Sequence, residues 1–264
     1  MTVKKQKGKT VLITGPTEGI GYELTKLFAK DHFNLVLVAR NKMKLEEMAN
    51  SLKKQFNIKV LVITEDLSKV NSAKLIFDQV TTSQMEIDIL VNNAGVALYG
   101  DFDQTDLNKE LKMIHLNIVT LTELVKYFLP KMLQKKSGHI INIASTSAFQ
   151  PGPKMSVYAA SKAYVLSFSE ALSEELRHSG VTVTVVCPGP TRTGIINSSG
   201  GNHSKLFKGK IMNPKKVAKL TYEAVSMKKT VVVIGIKNKI LAQSVRFIPR
   251  SLVRRLTKKL LDER

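Results

Sequence analysis

The chain has 264 residues, 43% of them apolar, and a formal net charge of +20. This length suits one α/β domain with an ample core; no apolar run approaches the roughly 18 residues of a bilayer span, and Val11-Leu-Ile-Thr14 is too short for a signal-peptide core. The single cysteine, Cys187, excludes an intrachain disulfide and points to a reducing, cytoplasmic setting, where it reads as a small buried residue.

The charge is unevenly placed. Residues 1–10 carry four lysines and no acid, and residues 203–264 carry 17 Lys/Arg against Glu223, Asp262 and Glu263. Residues 11–202 are nearly neutral, with 20 basic and 18 acidic residues. The basic character belongs to the two ends, which argues against a nucleic-acid groove in the main domain.

In chain order, residues 10–14 read as a short buried strand, followed by Gly15-Pro-Thr-Glu-Gly-Ile-Gly21 and a helix with Leu24, Leu27 and Phe28 on one face. A strand, a glycine turn and a helix make a phosphate site, because glycines let the backbone approach and helix-start N–H groups face the anion. The spacing is Gly-x-x-x-Gly-x-Gly, and a plain tight turn is the competing reading. The second strand, residues 35–39, ends at Arg40. An acid there would hydrogen-bond an adenosine ribose, whereas an arginine suits a 2′-phosphate. Arg40 therefore favours NADP over NAD, unless it is a surface arginine opening the next helix.

Residues 41–56 form a helix capped by Asn41, residues 59–63 a third strand, and Ser68 opens a helix to about residue 82. The fourth strand, residues 87–91, closes with Asn92-Asn-Ala-Gly95. Strand–helix alternation at this pitch means βαβ units and a parallel sheet, whose ligands sit at the C-terminal strand ends. A long helix over residues 106–134 contains Asn117, a residue that usually faces solvent or satisfies a backbone group.

Strand five, residues 139–144, precedes Ser145, whose hydroxyl could reach a substrate oxygen. The helix over 155–178 carries Tyr158 and Lys162 four residues apart, on one face. A phenol normally titrates near pH 10, and a nearby ammonium moves that value toward neutrality, which fits a proton donor or acceptor. Taken alone, such a pair is more often a surface pair. Strand six spans 181–186. Pro188-Gly-Pro-Thr-Arg-Thr193 then breaks the pattern and leads into a lid, about 191–213. A helix over 214–227 and a seventh strand over 230–234 follow.

Together these residues resemble the short-chain dehydrogenase/reductase family over about residues 8–236. Thr14-Gly-Pro-Thr-Glu-Gly-Ile-Gly21 resembles its cofactor glycine motif, with Gly15, Thr17, Glu18, Gly19, Ile20 and Gly21 as cofactor contacts. Asp66 matches an adenine-contacting acid, and Asn93, Ala94 and Gly95 a strand-stabilising motif that also touches cofactor. Pro188, Gly189, Thr191 and Thr193 resemble the segment beside the nicotinamide. Asn117, Ser145, Tyr158 and Lys162 fall at the four catalytic positions. The resemblance implies a Rossmann-like, doubly wound parallel seven-stranded sheet and hydride transfer between nicotinamide and a carbonyl or alcohol. Tyr158 would be the general acid/base, Lys162 would lower its pKa and bind the nicotinamide ribose, Ser145 would hydrogen-bond the developing alkoxide, and Asn117 would hold a water leading from Lys162 to solvent. It also implies a homodimer or homotetramer. One departure stands out: some NADP-preferring members carry a basic residue where this chain has Glu18. The five histidines show no ligand spacing, and no metal is expected.

The expected organisation is a catalytic domain, residues 1–237, and a basic amphipathic tail, residues 238–264, interrupted at Pro249. Such a tail either packs on the domain or a second subunit, or lies on an anionic membrane. Apolar lid residues Ile195, Ile196, Leu206 and Phe207 suit a lipid-like substrate. Lys205, Lys208 and Lys210 would welcome a 3-oxoacyl thioester on an acidic carrier protein. The alternative to an enzyme is a non-enzymatic adaptor acting through the tail.

Overall fold

Seven apolar runs become one parallel sheet in the computed structural model, which describes residues 8–201, 204 and 211–262. The strands are β1 (Thr10–Thr14), β2 (Asn34–Ala39), β3 (Val60–Thr64), β4 (Ile89–Asn92), β5 (Gly138–Ile143), β6 (Val181–Cys187) and β7 (Val231–Val233). Their order is β3-β2-β1-β4-β5-β6-β7, every neighbouring pair parallel. The chain runs outward from β1 to β3, then returns to start again at β4 on the other side of β1. Ligands of open α/β sheets bind in the crevice at that reversal.

Helices α1 (Gly19–Lys30), α2 (Lys42–Phe56), α3 (Ser72–Thr82), α4 (Leu107–Ile114), α5 (Leu121–Gln134), α6 (Ser156–Glu175), α7 (Gly194–Ser198) and α8 (Pro214–Ser226) connect the strands, and α9 (Ile236–Ser244) and α10 (Arg250–Leu261) follow β7. Alternation along β1 divides the core. Val11 and Ile13 pack with Leu24 and Phe28 of α1, Leu45 of α2 and Val217 of α8. Leu12 packs on the opposite face with Ile76 of α3, Leu124 and Phe128 of α5 and Leu172 of α6. Successive strand residues point to opposite faces, so a sheet covered on both sides needs this unbroken apolar run.

Several boundaries differ from the sequence expectation, each for a local reason. The expected helix from Ser68 starts at Ser72, because Ser68 donates through both its backbone N–H (3.0 Å) and its hydroxyl (2.8 Å) to Asp66 Oδ1. Strand β4 starts late because Asp88 is engaged at the edge of β1, its carboxylate accepting the Thr10 N–H at 2.8 Å. The long helix is not continuous: α4 and α5 are joined by a π-turn segment, His115–Thr120, that contains Asn117. Such segments insert a residue and re-aim side chains, frequently at functional sites. Asn41 does cap α2, accepting the Lys44 N–H at 3.0 Å. The tail is split around Pro249, with α9 before it and α10 after. Lid residues Lys205, Leu206, Phe207, Lys208 and Lys210 lie outside the described residues.

His139 illustrates how the sheet uses a buried polar group. Its two ring nitrogens lie 2.9 Å from Thr182 Oγ1 and Thr184 Oγ1 of β6. Burial, aided by the Lys228 charge, lowers its pKa to about 4. The unfolded chain takes up a proton below about 6.5 while the folded chain resists until about 4. Stability present at neutral pH is therefore lost as pH falls across that window, by about 3 kcal/mol. Urea unfolding between pH 6.5 and 4.5 should show this slope in the unmodified protein and a shallower one in His139→Gln.

Candidate active site

A cavity of about 530 Å3 opens at the C-terminal ends of the strands, across the reversal between β1 and β4. Gly15, Thr17, Glu18, Gly19, Ile20, Arg40, Asp66, Asn93, Ala94, Gly95, Ser145, Tyr158, Lys162, Pro188, Gly189, Thr191 and Thr193 all line it. Residues as far apart in sequence as Gly15 and Thr193 thus share one cleft. Two candidates stand behind it. Gly21 sits under the turn, where any Cβ would collide with the Gly15 carbonyl oxygen and the Asn93 side chain. Asn117 is 1% exposed and lies below Val96.

The glycine turn is fixed from below. Asn93 Nδ2 donates to the carbonyls of Thr14 (2.9 Å) and Gly15 (3.0 Å), and Thr14 Oγ1 accepts the N–H groups of Asn93 and Ala94 at 3.0 Å. Gly19, with φ +58°, opens α1, and a Cβ there would stand 2.7 Å from Thr193 Cγ2. The turn and the Thr193 segment therefore close against each other over backbone that carries no side chain. This cradle, at a helix start, fits a pyrophosphate. Gly21→Ala is expected to cost about 1–3 kcal/mol of stability by overpacking and to weaken nicotinamide-dinucleotide binding. Thermal unfolding and cofactor titration of the same variant would check both.

At the end of β2, Arg40 is exposed at the cleft rim and Asp66 stands near it. Burial raises the Asp66 carboxyl, but the Ser68 hydrogen bonds and the Arg40 and Lys69 charges outweigh it and hold it below its usual range. Glu18 lies against Gly194, at the start of α7.

At the other end, Ser145 follows β5 and caps the turn Thr146–Phe149. Its hydroxyl accepts the Ser147 N–H at 3.0 Å and donates to Ser147 Oγ at 3.2 Å. The Ser145 side chain also hydrogen-bonds Tyr158, and the Lys162 ammonium lies 5.8 Å from the Tyr158 ring centroid. Ser145, Tyr158 and Lys162 are therefore brought together. Asn117 joins them from behind: its Oδ1 accepts the Val96 N–H at 3.1 Å, and its Nδ2 donates to Val96 O and Ser161 Oγ, each at 3.0 Å.

Residues 9–203 match the family description "short chain dehydrogenase". The chain is 32% identical over 229 residues to "Ketoacyl reductase HetN" of Nostoc sp., covering 86% of this chain and 79% of that protein. It is 35% identical over 187 residues to "Very-long-chain 3-oxoacyl-CoA reductase" of Rattus norvegicus, covering 69% of this chain and 59% of the longer rat protein. A short-chain dehydrogenase from Sphingobium yanoikuyae, solved in complex with NADPH, is 31% identical and superposes with a TM-score of 0.82 over 90% of this chain and 93% of that one. The chain belongs to the short-chain dehydrogenase family.

Membership makes it an oxidoreductase with a Rossmann-like sheet, as the resemblance implied. For a short-chain dehydrogenase, one expectation about the Tyr158–Lys162 pair needs correction. Burial pushes the Tyr158 phenol up, opposed by its Ser145 hydrogen bond; the lysine does not acidify it. Lys162 gives its hydrogen bond to the Ile143 carbonyl at 2.9 Å. Burial lowers Lys162 to about 8. The opposing influence of Cys187 counts for little at neutral pH, because burial pushes that thiol up to about 12 and leaves it uncharged. The arrangement thus presents a neutral phenol to the cleft, with a readily titrated amine behind it.

Sequence reasoning missed Ser147, Met155 and the tail residue Leu261, which joins Ala97 and Met155 in a cluster beside Tyr99, Tyr158 and Ile195. The Ser-Thr-Ser run offered a weak signal for Ser147. Nothing in the order of residues places position 261 next to 158. Among the described residues no cluster of His, Cys, Asp and Glu could hold a metal ion, and no helix is long and apolar enough to cross a membrane.

Proposed function

We propose that this protein is an NADP(H)-dependent reductase of ketones or 3-oxoacyl groups, with Tyr158 as its proton donor. The observation that carries the reading is the convergence of Ser145 and Tyr158 on one cleft, with the buried Lys162 ammonium 5.8 Å from the Tyr158 ring centroid. When bound, the cofactor supplies the hydride. Gly15, Gly19 and the α1 start would hold its pyrophosphate, Arg40 a 2′-phosphate, and Asp66 the adenine. Tyr158, neutral at working pH, gives its proton to the carbonyl oxygen as that oxygen gains charge. Ser145 hydrogen-bonds the same oxygen and orients the phenol. Lys162, titrating near 8, can supply a proton to replace the one Tyr158 loses. Asn117 fixes Val96 and with it the floor below Lys162. Its remaining oxygen lone pair can hold a water.

The names of the two similar reductases and the apolar Ile195 and Ile196 on the cleft support a 3-oxoacyl or other lipid-like substrate. Exposed Leu107, Leu111 and Val119 around α4 support a homodimer or homotetramer. The decisive assay follows NADPH consumption with 3-oxoacyl thioesters of increasing chain length and with bulky ketones. Turnover that rises with chain length is expected. Absence of turnover with every carbonyl compound, although NADPH binds, would return the adaptor reading to favour.

A further inference from the structure

The tail has two faces, and only one is covered. On the inner face, Asn238 donates to the Ile234 carbonyl at 2.8 Å and lies against Gly189. Val253 and Leu261 are buried, and Tyr99 donates its phenolic proton to the Leu261 carbonyl at 2.5 Å. The tail therefore packs against Ala97 and Met155, two residues that line the cleft beside Tyr158.

On the outer face, Leu252, Leu256 and Leu260 are 46%, 46% and 57% exposed, one helical turn apart along α10. In α10 they adjoin the buried Val253 and Leu261, so one wide apolar face is covered along one edge and about half exposed along the other. Phe247, 87% exposed at the bend, and Ile236, Ile240 and Leu241 of α9 are exposed as well. Residues 236–262 carry eight Lys or Arg and a single acid, Asp262. Arg254 and Lys258 occupy the side of α10 opposite the leucines, while Arg255 and Lys259 border them.

We propose that α9 and α10 are a docking face for an anionic lipid bilayer, packed on residues that line the substrate cleft. Exposed leucines and a phenylalanine flanked by cations match the interface of acyl chains and anionic headgroups. A second copy of the chain fits less well, since two such faces would bring eight cations against eight. Docking itself does not depend on the reductase reading. Its value for delivering a lipid-like substrate to Tyr158 does, and binding and turnover are therefore measured apart.

The chain contains no tryptophan, so Phe247→Trp creates a single reporter. With phosphatidylglycerol vesicles its emission should shift to the blue and be quenched by brominated acyl chains. Phosphatidylcholine vesicles should leave it unchanged. A tryptophan placed at exposed Leu75 on α3 should not be quenched by either. In the Phe247→Trp background, combining Leu252→Ser, Leu256→Ser and Leu260→Ser should weaken vesicle binding about tenfold or more, with turnover of a short soluble ketone retained. Four outcomes would overturn the proposal: no quenching at low salt; binding indifferent to the three serines, which is plain adsorption of a basic chain; a concentration-dependent blue shift without vesicles, which is self-association; or protection by an acidic carrier protein but not by vesicles.

Discussion

Replacing Tyr158 with Phe is expected to lower kcat about 10²–10⁴-fold while leaving the Kd for NADPH nearly unchanged. The ring still fills its place, and only the proton and the hydrogen bond from Ser145 are lost. Ser145→Ala should show a smaller loss, because Tyr158 keeps its proton but loses the partner that opposes burial. The pH dependence follows from the same geometry. Tyr158 is pushed above its ordinary value of 10, so the phenol stays protonated through neutrality and donates. Lys162 titrates near 8, so its positive charge is lost as pH rises through that value. A profile of kcat/KM for the cofactor, which reports groups of the free enzyme, should therefore fall near pH 8. The same bend should be missing from the residual activity of Lys162→Met. Turnover of Tyr158→Phe at the rate of the unmodified enzyme would sink the mechanism.

Arg40→Asp is expected to shift the ratio of kcat/KM for NADPH over NADH about 10²-fold or more toward NADH, enough to reverse the preference. A charge-assisted hydrogen bond to a phosphate contributes about 1.5–3 kcal/mol, and an aspartate adds repulsion of the phosphate while accepting the ribose hydroxyl in its place. Arg40 is exposed, so salt should narrow the difference. The preference rests on this one side chain, because Glu18 occupies the place where another cation could have stood and lies against Gly194. Equal kcat/KM with the two cofactors in the unmodified protein would remove the argument for a 2′-phosphate at Arg40.

The chain order of strands, the glycine turn and the Tyr158–Lys162 spacing were legible because each rests on local periodicity or local backbone geometry. Alternation in β1 already separates Val11 and Ile13 from Leu12, and the unbroken apolar run of β2 argues for a sheet covered on both faces. A four-residue spacing likewise places Tyr158 and Lys162 on one helix face wherever the helix lies. The helix break at His115–Thr120 was not legible, because Asn117 turns inward only to meet the Val96 backbone, which comes from another βα connection. Nor was the start of α3, where Asp66 competes for Ser68.

The sequence by itself determined the class of sheet, the end of it at which the chemistry collects, and the proton donor to suspect. Only the tertiary structure decided how that donor is tuned. Burial and the Ser145 hydroxyl act on Tyr158, while Lys162 is drawn to the Ile143 carbonyl, a partner invisible to spacing along one helix. It also decided that the tail packs on residues of the cleft wall, since Leu261 reaches Met155 and Ala97 by burying apolar surface between segments more than a hundred residues apart. Periodicity reports which face of an element is apolar, but not which distant surface will cover it.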